Sequence, residues 1–135
     1  MAVSQSASIL VVDDQPTSVA VTQTILTKLG FENVDTAISV TSAMKQVRSK
    51  SYDVVISDWH MPSLDGPELF RQVKKMSPNK LPKFYFLTMD ARWGCAATAR
   101  QLGAEALIVK PCRPGELLNK ISRALLDCEF TRLPS

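Results

Sequence analysis

Long apolar runs are missing from this chain of 135 residues. The longest strand-like one, Ile9 to Val12, falls far short of the ~20 residues a membrane-crossing helix needs. The opening MAVSQSAS has neither the basic start nor the apolar middle of an export signal. Metal-type cysteine spacing is absent as well. The three cysteines, Cys95, Cys112 and Cys128, make no CxxC pair and are odd in number, so they read as free thiols of a reducing cytosol. Charge of one sign is scarce. A net charge of +3, with no added helix-turn-helix and no concentrated basic patch, removes the case for DNA binding. Repeats and low-complexity segments do not occur, and the length fits one domain rather than two. The expectation is a soluble cytoplasmic domain with no membrane insertion.

What is present alternates. β-Branched runs fall at residues 8–12, 33–37, 53–57, 83–87 and 106–109. All but the second are nearly all apolar, as strands covered on both faces are, and the more polar second run suits a sheet edge. Helical patterns lie between them. Val21, Ile25 and Leu29 recur every four residues before Gly30, which predicts that they form the inner face of the first helix. Residues 40–49 put Val40, Met44 and Val47 on one face, and residues 67–76, opening on Pro67, put Leu69, Phe70 and Val73 inward. Residues 92–102 make a weak helix containing Gly94 and ended by Gly103. A last helix starts at Pro114 with Leu117, Ile121, Ala124 and Leu125 as its stripe. Residues 1–7 and 128–135 read as tails around a domain of residues 8–127. Five strands alternating with five helices predict an α/β fold, a doubly wound five-stranded parallel sheet in the order 2-1-3-4-5.

In such a sheet, sites form at the carboxyl ends of the strands, where strand order reverses. The residues that follow the strands there carry chemistry. They are Asp13 and Asp14 after the first strand, Asp58 after the third, Thr88 after the fourth and Lys110–Pro111 after the fifth. Carboxylates gathered within a few ångströms repel one another. They become tolerable around a hard divalent cation, and Mg²⁺ prefers a few carboxylates, several waters and a phosphate. Lys110 supplies a mobile positive charge and Thr88 a hydroxyl donor. A carboxylate beside such a metal and a lysine can attack phosphorus to give an aspartyl phosphate.

These motifs carry a resemblance. ILVVDDQPT, ISDWHMPSLDG, FLTMDA and ALIVKP, in this order and spacing across residues 8–127, resemble the receiver domain of two-component response regulators, most closely the CheY-like single-domain type. That family is itself a standard instance of the doubly wound fold, so topology alone is not independent support. The resemblance implies that Asp58 accepts a phosphoryl group from the phosphohistidine of a sensor histidine kinase or a histidine phosphotransfer protein. It implies Mg²⁺, for which Mn²⁺ can substitute, held by Asp13, Asp14, Asp58 and the backbone carbonyl of His60, with Asp14 the more direct ligand and Asp13 partly through water. Thr88 and Lys110 would contact the attached phosphoryl group, and the Lys110–Pro111 bond would be cis. The ring of His60, the only histidine, reads as a neighbour of the site rather than a ligand or base. Asp90 sits where it can influence the attacking water, Trp59 as a reporter of the metal, and Asp65 as a loop acid.

One position departs from the family. Three residues before Lys110, where an aromatic usually swings between exposed and buried, stands Leu107, and Cys112 also replaces a residue that is often aromatic. Output is expected through residues 92–127, the fourth helix, fifth strand and fifth helix. That face is mildly basic, with Arg92, Arg100, Lys110, Arg113, Lys120 and Arg123 against Glu105, Glu116 and Asp127. A downstream acidic protein or a weak homodimer fits it. With no output domain following, the expectation is a stand-alone signalling module and not an enzyme. The competing readings are a receiver-shaped interaction module with little phosphorylation-dependent switching and a Mg²⁺-dependent small-molecule phosphatase. A flavodoxin-like cofactor binder would need a Ser/Thr/Gly-rich loop where this chain has DDQPT.

Overall fold

The computed structural model describes residues 7–59, 66–76, 82–88, 93–104 and 106–109, and for residues 93–96, 106 and 109 it describes the backbone alone. Nine elements follow one another within it. They are β1 (Ser8–Val12), α1 (Pro16–Lys28), β2 (Asn33–Ala37), α2 (Val40–Ser49), β3 (Val54–Asp58), α3 (Gly66–Met76), β4 (Lys83–Thr88), α4 (Trp93–Leu102) and β5 (Ala106–Val109). The five strands form one sheet in the order β2-β1-β3-β4-β5, and every pairing is parallel. The last helix expected from sequence, from Pro114, lies outside the described residues.

Strand side chains alternate between two faces, and each face builds its own core. On one, Leu10, Val12, Val55, Phe84 and Phe86 meet Val40, Ala43 and Met44 of α2, Leu69, Phe70 and Val73 of α3 and Ala99 of α4. Phe70 stands edge-on to Phe84 at 4.7 Å, and Trp59 edge-on to Phe86 at 5.0 Å. On the other, Ile9, Val11, Val54, Ile56, Tyr85, Leu87 and Ile108 pack with Leu26 and Phe31. Burial of both faces explains why these strands read as continuous apolar runs. Among the described residues, no helix is long and apolar enough to cross a membrane.

Helix ends follow local chemistry. Gly30 (φ 101°) and Gly103 (φ 97°) take the left-handed conformation that glycine adopts without penalty. Around Gly30, the Phe31 N–H donates to the Leu26 carbonyl and the Gly30 N–H to that of Thr27. Ala104 and Gly103 repeat this pairing on Ala99 and Arg100. Ser39 caps α2 by accepting the Ser42 N–H at 3.1 Å.

Two sequence expectations are corrected. Of the stripe Val21–Ile25–Leu29, Ile25 and Leu29 pack half-buried against the second core, but Val21 is 54% exposed, and the buried residues of α1 are Val19 and Leu26. The half-buried Thr22 and Gln23 lie between Val19 and Leu26 on that face, and their polarity hides this part of it from an apolar-periodicity reading. The third strand is Val54–Asp58 rather than residues 53–57. Asp53 instead marks the strand entry, its carboxylate accepting the Ser8 N–H at 2.9 Å.

Candidate metal centre

The strand register sets the site. Val12 of β1 lies opposite Ser57 of β3, so the next residues, Asp13 and Asp58, come side by side at the carboxyl edge of the sheet. Asp58 is the last residue of β3 and pairs with Leu87, which puts Thr88 one step beyond it on β4. Carboxylate oxygens of Asp13, Asp14 and Asp58 all fall within 4.8 Å of one another. Asp13 is buried, Asp14 and Asp58 are half-buried, and Thr88 is 1% exposed. Three of the acids expected at the carboxyl edge are thus brought together, with Thr88 on the adjacent strand. His60, Asp65, Asp90, Lys110, Pro111 and Cys112 lie outside the described residues.

Asp13 and Asp58 are held by identifiable contacts. The Asp13 N–H donates to the Ala37 carbonyl at 3.1 Å, which ties it to β2. Its Oδ1 accepts the N–H of Gln15 at 3.1 Å, a turn that leads into α1. Gln15 is the residue that precedes the helix and makes no side-chain cap. Asp13 therefore steadies the entry of α1 with one oxygen while its carboxylate belongs to the cluster. Behind Asp58, the buried Ser57 hydroxyl donates to the Asp58 carbonyl at 3.0 Å. Trp59, 6% exposed, donates its backbone N–H to Leu87 and accepts that of Gly66, each at 2.9 Å.

Gly66 is the contributor that sequence reading undervalued. It is the first residue of α3 and is buried. A Cβ there would collide with the Asp58 carbonyl and the Phe86 ring. The Asp65–Gly66 pair was the available signal, since a glycine opening a helix allows close backbone approach.

The donor set fits a hard cation. An octahedral Mg²⁺ with oxygens at about 2.0–2.1 Å needs donors roughly 3 to 4 Å apart, and carboxylate oxygens within 4.8 Å of one another are near that span. All three donors are carboxylates, the oxygen ligands that Mg²⁺ takes.

The response regulator receiver domain family matches residues 9–122. The chain belongs to that family. The probable chemotaxis protein CheY of Rhizobium etli is 32% identical over 111 residues, covering 82% of this chain and 86% of that protein. The chemotaxis protein CheY of Pseudomonas aeruginosa is 31% identical over 115 residues, covering 85% and 93%. A CheY-like receiver domain protein from Methanospirillum hungatei superposes with a TM-score of 0.84 at 27% identity, over 93% of this chain and 98% of the other. The response regulator TrrA of Thermotoga maritima, solved in complex with Mg(2+)-BeF, superposes with a TM-score of 0.77 at 29% identity, over 88% and 99%. The chain is a response regulator of two-component signalling by these criteria. Within the receiver fold, Leu107 of β5 lies opposite Phe86 and packs, half-buried, against the core that also contains Trp59.

Proposed function

We propose that this chain is a cytoplasmic phosphoacceptor and that Asp58 is the residue esterified. An Asp58 carboxylate oxygen attacks the phosphorus of a phosphohistidine on a sensor kinase or histidine phosphotransfer protein. The O–P bond forms, the N–P bond breaks, and the imidazole leaves with the electron pair and takes up a proton. Asp13, Asp14 and Asp58 would hold Mg²⁺, or Mn²⁺ in its place, with the His60 carbonyl as a further ligand. The cation, when bound, offsets negative charge on the transferring oxygens. Thr88 and Lys110 would donate to those oxygens after transfer. Water attack on phosphorus later returns the free carboxylate and inorganic phosphate. The domain assists its own turnover in this way without acting on small-molecule esters.

The observation that carries this reading is the clustering of three carboxylates within 4.8 Å at the carboxyl edge, with Asp58 ending the central strand β3. The relative TrrA, solved with Mg(2+)-BeF on the same fold, supports it. The added charge of roughly −1.5 to −2 would bias the face of residues 92–127 toward a downstream protein or a second copy. The test is labelling with acetyl phosphate or phosphoramidate in the presence of Mg²⁺. Label is expected on Asp58, absent with EDTA and absent in Asp58→Asn. Label persisting in that variant overturns the assignment. Leu107, with no ring to swing and its side chain against the core, favours a second reading, a receiver whose partner binding changes little on phosphorylation. Equal affinity for a partner with and without beryllofluoride would select it.

A further inference from the structure

Strand β2 forms one edge of the sheet, and an open edge is a template for pairing with another chain. Backbone groups along a strand point alternately to its two sides. Ala37 turns its carbonyl toward β1, where it accepts the Asp13 N–H, so Asn33 and Asp35 face β1 as well. Val34 and Thr36 therefore turn their backbone groups outward, away from the sheet.

Both outward carbonyls carry a side-chain amide. Gln23 of α1 donates from Nε2 to the Val34 carbonyl at 3.3 Å, and Gln46 of α2 donates from Nε2 to the Thr36 carbonyl at 2.7 Å. The two glutamines reach the edge from opposite faces of the sheet, because α2 packs into one core and α1 into the other. Both are half-buried. Gln46 is itself held, since its Oε1 lies 3.1 Å from the Tyr52 hydroxyl. Alongside, Lys50, the C-cap of α2, pairs with Asp35 of the same strand at 3.0 Å.

We propose that Gln23 and Gln46 form a two-sided clasp that closes β2 to strand addition by a second copy of this chain. An incoming strand would have to take the Val34 and Thr36 carbonyls from donors already seated on them. The clasp acts on self-association and is separate from the phosphoryl chemistry proposed for the carboxyl edge.

The experiment compares Gln23→Ala/Gln46→Ala with Gln23→Lys/Gln46→Lys in the full chain. Lysine keeps a donor and adds charge, whereas alanine removes the donor. Sedimentation is expected to show the alanine pair rising with concentration from 14.9 kDa toward twice that mass, while parent and lysine pair stay monomeric. Hydrogen exchange is expected to show the Val34 and Thr36 amides, fast in the parent, becoming protected as the alanine pair associates. If the alanine pair fails to fold, Gln23→Ala alone carries the same readouts, its bond being the longer. An alanine variant as monomeric as the parent, or one that associates without new protection at Val34 and Thr36, overturns the proposal.

Discussion

The Asp13 N–H is bonded to the Ala37 carbonyl at 3.1 Å, so the backbone of a proposed metal-binding acid is anchored to the edge strand rather than to its own loop. The position of the acid is set by the sheet before any cation arrives. What binding must overcome is chiefly the mutual repulsion of carboxylates within 4.8 Å.

Metal and charge should therefore trade against each other in stability. At Mg²⁺ a hundredfold above its dissociation constant, the folded state gains about 2.7 kcal/mol. Chemical denaturation of the parent should show that gain, lost on adding EDTA. Asp14→Asn should lose most of the Mg²⁺ gain yet be at least as stable as the parent in EDTA, because one of three crowded charges is gone. A variant less stable than the parent in EDTA contradicts the crowding.

Trp59 is buried beside Asp58 and edge-on to Phe86, so its emission should report the cation. The chain has two tryptophans, and a Trp93→Phe background isolates the signal. Mg²⁺ titration should change the emission of that background, and Asp13→Asn or Asp14→Asn should shift the midpoint by roughly tenfold or more, equivalent to about 1.4 kcal/mol. An unmoved midpoint removes that acid from the ligand set.

Gly66→Ala should destabilise despite the better helix propensity of alanine. Propensity favours alanine by up to about 1 kcal/mol. The added Cβ meets the Asp58 carbonyl and the Phe86 ring, and overpacking of this kind costs about 1–3 kcal/mol. Because the obstacle is the backbone of Asp58, labelling at Asp58 should slow as well. Urea denaturation and the initial labelling rate read the two effects separately.

The inward line of α1 is checked by two truncations. Leu26→Ala removes a fully buried side chain and should cost about 2–5 kcal/mol. Val21→Ala, at a position 54% exposed, should stay within about 0.5 kcal/mol of the parent. Reversed costs would restore the face expected from sequence.

Tyr52 links stability to alkaline pH. Burial first, and then its hydrogen bond to Asp35 and the charge of that carboxylate, push the phenol well above its ordinary 10.0. Below pH 10 both folded and unfolded chains keep the proton and the stabilisation is whole. As pH rises past that value, the unfolded chain releases a proton that the folded one retains, so stability falls. Tyr52→Phe should flatten that alkaline fall and lower stability at neutral pH by about 1 kcal/mol. Asp35 has the opposite sense. The Tyr52 hydroxyl, 2.7 Å away, and then Lys50 lower its carboxyl, so its contribution is present at neutral pH and is lost as acid protonates it. Denaturation curves against pH for parent and variant read both limbs.

The strands were legible because two-sided burial leaves uninterrupted apolar runs, and Val54–Val55–Ile56 has no other ready explanation. Asp13, Asp14, Asp58 and Thr88 were legible because a parallel sheet delivers residues after successive strands to one edge. The face of α1 was legible only in part: Ile25 and Leu29 pack inward, but Thr22 and Gln23 share that face, and only the edge carbonyl of Val34 explains a glutamine there. Gly66 was underread for a related reason. Its role is set by the Asp58 backbone and Phe86, and contacts across the fold leave no periodicity in the chain.

Helix α4 differs from its neighbours in how it is fastened. α3 drives Leu69, Phe70 and Val73 into the core, whereas Ala99 is the buried residue among the side chains described for α4. Among the described side chains of α4, the half-buried Leu102 joins this methyl group against the core. α3, by contrast, is wedged by rings on Phe84 and Phe86, so of the two neighbouring helices it is the more firmly keyed to the sheet.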